Sequence, residues 1–144
     1  MFDVLALNDA IAAHGVVARV VIASVAGSSP REVGASMLVW GAGQSGTIGG
    51  GALEFTAANR ARQMLGSGGL RLGHEALGPG LGQCCGGAVV LVTEVYSAAL
   101  GVPDNEVIAR AISGAPMPLA VKRLLDHARA QGATPAPQLV QGWM

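Results

Sequence analysis

The pattern of hydrophobic and polar positions predicts a helix and then a buried strand. Apolar residues recur at helical spacing over 4–12, between Asp3, which can cap a helix start, and Gly15, which can end the helix. The following run, 16–25, is rich in β-branched residues and almost continuously apolar. Such a run is typical of a strand that is covered on both faces.

The remaining pattern alternates between strand and helix periods. It predicts short strands over 36–40 and 46–48, a helix over 53–65, strands over 70–77 and 88–96, and a helix over 119–130. Helices and strands interspersed in this way indicate an α/β (or α+β) fold. We therefore predict one domain with a mixed β-sheet flanked by helices.

The composition indicates which classes of partner the protein binds. The 144 residues suit one domain, and only 12% of them are charged, with a formal net charge of zero. A protein with no net charge has no broad electrostatic field that would attract nucleic acid or an anionic membrane. A neutral, weakly charged surface favours association instead, so we expect a homo-oligomer or a protein partner.

Nothing in the sequence predicts export or membrane insertion. The longest apolar run, 16–25, contains Arg19 and is shorter than the roughly 20 residues that span a bilayer. The first residues lack the basic stretch of a secretory signal. We therefore expect a cytoplasmic protein whose thiols are reduced.

Glycine-rich segments contain the candidate chemistry. Segment 81–87 includes Gln83, Cys84, Cys85, Gly86 and Gly87. Glycines allow a ligand to approach the backbone, and thiols are nucleophiles or soft metal ligands. In an extended chain only one of two adjacent thiols faces a given site, and we expect Cys85, which directly precedes the glycine pair.

Two further segments suit an anion. Gly49, Gly50 and Gly51 enter the predicted helix, whose first amides and partial positive charge can bind a phosphate. Arg31 can clamp a phosphate or carboxylate, and Ser28 can donate to the same anion. Each segment also has a structural alternative, because cysteines are often buried, glycine turns often serve packing, and loop arginines are often solvated.

Two other patterns do not point to a site. Residues 41–46 spell G-x-G-x-x-G, but the predicted strand after them and the lack of an acidic residue over 61–70 argue against a dinucleotide site. The three histidines, His14, His74 and His127, do not have the spacing of zinc ligands relative to the cysteines.

Segments 26–37, 47–54 and 81–87, in this order, resemble the XdhC/CoxI family of accessory proteins, which handle the molybdenum cofactor for xanthine dehydrogenase and related hydroxylases. The resemblance implies a non-catalytic chaperone that binds the cofactor, shields it while a cysteine desulfurase partner supplies sulfur, and inserts it into the apo-hydroxylase. It implies that the phosphate of molybdopterin is held by the glycine amides and Arg31, and that Cys85 lies near the molybdenum. The implied cofactor-binding residues are Ser28, Arg31, Gly49, Gly50, Gly51, Gln83, Cys84, Cys85, Gly86 and Gly87.

The chain departs from the family pattern in two places. Family members often have a cysteine where this chain has Ala52, and many continue into a Rossmann-like second domain. We therefore divide the chain into an XdhC/CoxI-like domain over 1–100, a helical extension over 101–131, and a linker or truncated junction over 132–144. The residues leave two other functions open: a cysteine-dependent enzyme that carries sulfur or acyl groups, and a scaffold that binds a protein partner.

Overall fold

The computed structural model describes residues 3–78, 86–98, 111–112, 116–131, 136–140 and 142–144. Its helices are α1 (Val4–His14), α2 (Gly51–Met64) and α3 (Leu119–Gln131), and its strands are β1 (Val17–Ala26), β2 (Ser36–Trp40), β3 (Gly43–Gly46), β4 (Leu70–Ala76) and β5 (Ala88–Tyr96). The Asp3 side chain accepts from the Ala6 amide at 2.9 Å and caps α1, as its position predicts. None of the helices in these ranges is long and apolar enough to cross a membrane.

The five strands form one sheet in the order β3-β2-β1-β5-β4. The predicted fold class of helices flanking a sheet is confirmed, but every strand pairing in the described residues is antiparallel, whereas we expected a mixed sheet. Within the described residues the sheet has no parallel pair because of where the crossover connection through α2 ends. Helix α2 connects β3 and β4, which run in the same direction but lie at opposite edges of the sheet and so do not pair.

The two faces of the sheet are covered by different segments. Buried residues of α2, including Leu53, Ala57 and Ala61, pack on the face that carries Val20 and Ile22. On the other face α1 packs around Val17, and the segment near the C-terminus packs around Val21 and Val92, with the following residues partly buried there: Ile112, Leu139 and Met144. Alternate residues of β1 therefore face opposite layers, which explains its nearly continuous apolar run.

The hairpin formed by β2 and β3 differs from the strands predicted over 36–40 and 46–48. We expected its returning strand over 46–48, but β3 ends at Gly46, because Trp40 pairs with Gly43 and the turn contains only two residues. Ile48 is fully buried in the core beneath α2 instead. The chain therefore leaves the sheet earlier, and residues 47–50 are free to form the turn into α2.

One polar cluster lies within the sheet. Arg19 on β1 is directly opposite Glu94 on β5, and both residues are only 5% exposed. The Tyr96 hydroxyl donates to Oε2 of Glu94 at 2.7 Å. Burying charged groups is costly unless they are hydrogen-bonded, so this cluster is a place where a single substitution has a large effect on stability.

Candidate functional site

Three glycine-containing segments meet at one end of the sheet. Loop 27–34 connects β1 and β2, the turn over 47–50 precedes α2, and Gly86 and Gly87 precede β5. A Cβ atom on Gly49 would lie 2.5 Å from Cγ of Pro30, and a Cβ atom on Gly27 would lie 3.2 Å from Cα of Gly87. These distances leave no room for side chains at the contacts, so the structure brings together the described parts of all three segments.

The end of β1 and the loop after it form an open cleft of about 430 Å³, lined by the following residues: Val25, Gly27, Ser29, Pro30, Arg31, Glu32 and Val33. Ser29, Pro30 and Arg31 are half-buried in its wall, and Glu32 is exposed. The Ser29 hydroxyl donates to the carbonyl oxygen of Arg31 at 2.9 Å, which helps to hold the loop in this conformation. The glycine turn and Gly87 contact this loop but do not line the cleft.

Arg31 already has an anionic partner. Its Nε and Nη2 atoms donate to the two carboxylate oxygens of Glu32 at 3.1 and 3.0 Å. The hydrogen bonds from Arg31 lower the pKa of Glu32 to about 2, and the same contact raises the pKa of Arg31. Glu32 is therefore ionised at neutral pH, and an incoming anion must compete with it for the guanidinium group.

Amides of the glycine turn, residues 47–50, already donate to acceptors within the chain. Oε1 of Glu54 accepts from the Thr47 hydroxyl at 2.5 Å, from the Ile48 amide at 2.9 Å and from the Gly50 amide at 3.2 Å. The Gly49 amide donates to the Thr47 hydroxyl at 3.0 Å. Two of the three glycine amides that we expected to bind phosphate thus have internal acceptors. Gly50 donates to Glu54, whose side chain bends back to the positive end of α2, and Gly49 donates to Thr47.

Two effects shift the pKa of Glu54 in opposite directions. Partial burial pushes its pKa up, but the hydrogen bonds from Thr47, Ile48 and Gly50 outweigh burial and hold the pKa below its usual value. The carboxylate is therefore charged at neutral pH and stabilises the turn. An acidic residue in the first turn of a helix is the sequence signal that identifies such a role.

The described residues give a partial account of the expected site. Ser28 is exposed, and its carbonyl group lies against Gly87. Gly86 is exposed with open space around its Cα, whereas Gly87 is buried. Gln83, Cys84 and Cys85 lie outside the described residues. Within the described part of the chain, no group of three His, Cys, Asp or Glu side chains could hold a metal ion.

Comparison with known proteins agrees with the resemblance noted from the sequence. Residues 10–74 match the XdhC and CoxI family, which confirms the resemblance over that segment. The matched segment contains both loop 27–34 and the glycine turn. Comparison with curated proteins gave no significant match.

A solved structure has a similar fold. It is a xanthine dehydrogenase from Bacillus halodurans, with a TM-score of 0.60 and 23% sequence identity over 90% of this chain. The similarity covers 36% of the other chain, so this chain spans about a third of that protein's length. At this identity the similarity shows a shared fold alone.

Proposed function

We propose, from the match of residues 10–74 to the XdhC and CoxI family, that this protein assists the maturation of a xanthine dehydrogenase-type hydroxylase. In this role it binds the molybdenum cofactor, protects it during sulfuration and inserts it into the apo-enzyme. The proposed partners are that apo-hydroxylase and a cysteine desulfurase. The protein itself acts as a chaperone and has no turnover of its own.

The open cleft with Arg31 in its wall is the observation that supports this proposal most directly. Molybdopterin carries a phosphate, and a guanidinium group binds phosphate through paired hydrogen bonds. Arg31, in the wall of the cleft, fits this group and would hold the phosphate once Glu32 moves aside. Ser28, an exposed residue of the same loop outside the cleft lining, would donate to it. Bound there, the cofactor would supply the molybdenum that receives the delivered sulfur.

The glycine turn has a different role in this proposal from the one the sequence indicated. Gly49 packs against Pro30 and so supports the loop that carries Arg31. Gly50 donates to Glu54, and Gly51 begins α2. We therefore assign these glycines to shaping the site, with phosphate contact limited to amides that neither Glu54 nor Thr47 accepts from.

We also propose that the segment before β5 brings a thiol to the same site. Gly87, two residues after Cys85 in the sequence, contacts the backbone of Ala26 and Ser28 beside the cleft. Cys85, with Cys84 and Gln83, would then lie close to the bound cofactor. Its thiol is a soft ligand that suits molybdenum or the delivered sulfur.

Cofactor content tests the function directly. The protein is produced in cells that make the molybdenum cofactor, and molybdenum and pterin are measured in the purified protein. We expect equal amounts of the two, with a loss of about tenfold or more in Arg31→Ala, which removes a charge-assisted contact. Arg129→Ala is the matched control, because Arg129 is an exposed arginine on α3. Absence of both molybdenum and pterin from the parent protein would contradict the proposal.

A reconstitution assay distinguishes a chaperone function from an enzymatic one. Mixed with cofactor, sulfur donor and apo-hydroxylase, the protein should raise the yield of active hydroxylase, and Cys85→Ala should reduce that yield more than Cys84→Ala. Purines, nucleotides and thioesters offered alone should remain unchanged. Sustained turnover of any of them that is abolished by Cys85→Ser would favour a cysteine-dependent enzyme instead.

A further inference from the structure

Strand β4 leaves one edge of the sheet open. It is the last strand in the order β3-β2-β1-β5-β4, and no other strand of the described residues pairs with its outer side. Leu70 and Leu72 on this strand are 38% and 39% exposed. The strand contains no proline, and its two charged residues, Arg71 and Glu75, are opposite in sign.

The sequence of β4 is complementary to itself when it is reversed. An antiparallel pair of β4 strands centred on Gly73 would place Arg71 opposite the partner subunit's Glu75, and Glu75 opposite the partner subunit's Arg71. On the other face it would place Leu72 opposite the partner subunit's His74. Opposite charges directly across antiparallel strands stabilise the pairing.

The geometry around Gly73 favours this register. A Cβ atom on Gly73 would lie 2.8 Å from Nη1 of Arg71 and 3.6 Å from Oε1 of Glu75, so both charged side chains converge over the glycine. Glu75 forms an ion pair with Arg60 of α2, whereas Arg71 has no ion pair with any other described residue. A glycine within a strand also permits close approach by another backbone.

We propose that a second copy of this chain pairs with β4 through the outer edge, antiparallel and centred on Gly73. Two five-stranded sheets then form one continuous sheet of ten strands. Around the twofold axis, each Arg71 faces the partner subunit's Glu75, and the glycines leave room for these four side chains. The zero net charge of the chain adds no repulsion between the copies. This inference concerns assembly and does not depend on the proposed cofactor.

Charge reversal provides the test. The oligomeric state of the full chain is measured by light scattering after size-exclusion chromatography for the parent, for Arg71→Glu and for Glu75→Lys. We expect a dimeric parent and two monomeric variants, because each variant places like charges opposite each other twice. A 1:1 mixture of the two variants should form a heterodimer, since all its facing pairs are then opposite in charge.

Further variants distinguish loss of the interface from loss of folding. Arg60→Gln removes the ion pair with Glu75 but keeps both proposed interface charges, and it should remain dimeric. Gly73→Cys, in a chain with Cys84→Ser and Cys85→Ser, should form an intermolecular disulfide on oxidation, because facing Cα atoms about 4.5–5.5 Å apart suit a disulfide. Ala76→Cys in the same background should not. A monomeric parent, dimeric single variants, a mixture that stays monomeric, or cross-linking through position 76 rather than 73 would overturn the proposal.

Discussion

Gly87 lies directly against the backbone of Ala26: a Cβ atom on Gly87 would stand 2.5 Å from the carbonyl oxygen of Ala26. The carbonyl oxygen of Ser28 is closer still, and the Leu77 amide donates to the carbonyl oxygen of Gly87 at 2.7 Å. The start of β5 is therefore attached to the loop that leads to Arg31. This contact joins Gly87 to the loop that lines the cleft.

Adding one methyl group should test that contact. Gly87→Ala places a Cβ atom against backbone atoms that cannot rotate away, so we expect a loss of about 1–3 kcal/mol in the free energy of unfolding. Gly86→Ala is the matched control, because open space surrounds that position. Urea denaturation measures both variants. Equal stability of the two would mean that the loop and β5 are not in contact.

Glu54 should contribute to stability through the turn that precedes α2. Glu54→Gln keeps the size of the side chain but removes the charge that accepts from Thr47, Ile48 and Gly50. We expect a loss of about 1 kcal/mol at neutral pH, since hydrogen bonds to a charged group are stronger but this one is partly solvated. Thermal unfolding at pH 7 measures the loss.

The same residue predicts a pH dependence. The pKa of Glu54 is lower in the folded protein than its ordinary value of 4.5, so its contribution is complete above about pH 4.5 and disappears as the pH falls through the folded-state pKa. Below about pH 4.5, the free energy of unfolding of the parent should therefore decrease more steeply than that of Glu54→Gln. Parallel curves for the two proteins would show that Glu54 does not titrate differently in the folded state.

Glu32 should compete with an anionic ligand for Arg31. Glu32→Gln removes the carboxylate that accepts two hydrogen bonds from the guanidinium group, and we expect affinity for the cofactor to rise by about threefold to tenfold. Calorimetric titration of the protein with the cofactor measures the change. The double variant Arg31→Ala/Glu32→Gln should lose this gain. A gain that persists without Arg31 would place the anion site elsewhere.

Tyr96 should stabilise the buried carboxylate of Glu94. Tyr96→Phe removes the hydroxyl that donates to Oε2 at 2.7 Å and leaves the ring in place. We expect a loss of about 1–3 kcal/mol, because a buried hydrogen-bond acceptor is left with one donor fewer. Unchanged stability in urea would argue that Glu94 is satisfied without the hydroxyl.

Much of the fold was predictable because its signals are local. The helical spacing over 4–12, the cap at Asp3 and the apolar run of β1 depend on neighbouring residues, and the structure has the corresponding elements. The predicted start of β3 at residue 46 was wrong, because the turn after Trp40 contains only residues 41 and 42. The antiparallel sheet was missed because strand order depends on where the α2 crossover ends, which no local pattern encodes.

The candidate site shows the same division. Residue types and spacing in the sequence identified three glycine-rich segments, a cation and two thiols, because glycine, arginine and cysteine have distinctive chemistry at any position in a fold. Folding determined that Pro30 meets Gly49 and that Gly27 meets Gly87. It also determined that Glu32 accepts from Arg31 and Glu54 from the Gly50 amide, two of the donors expected to bind a ligand. A carboxylate's hydrogen bonds depend on which donors come within about 3 Å of it once the chain has folded.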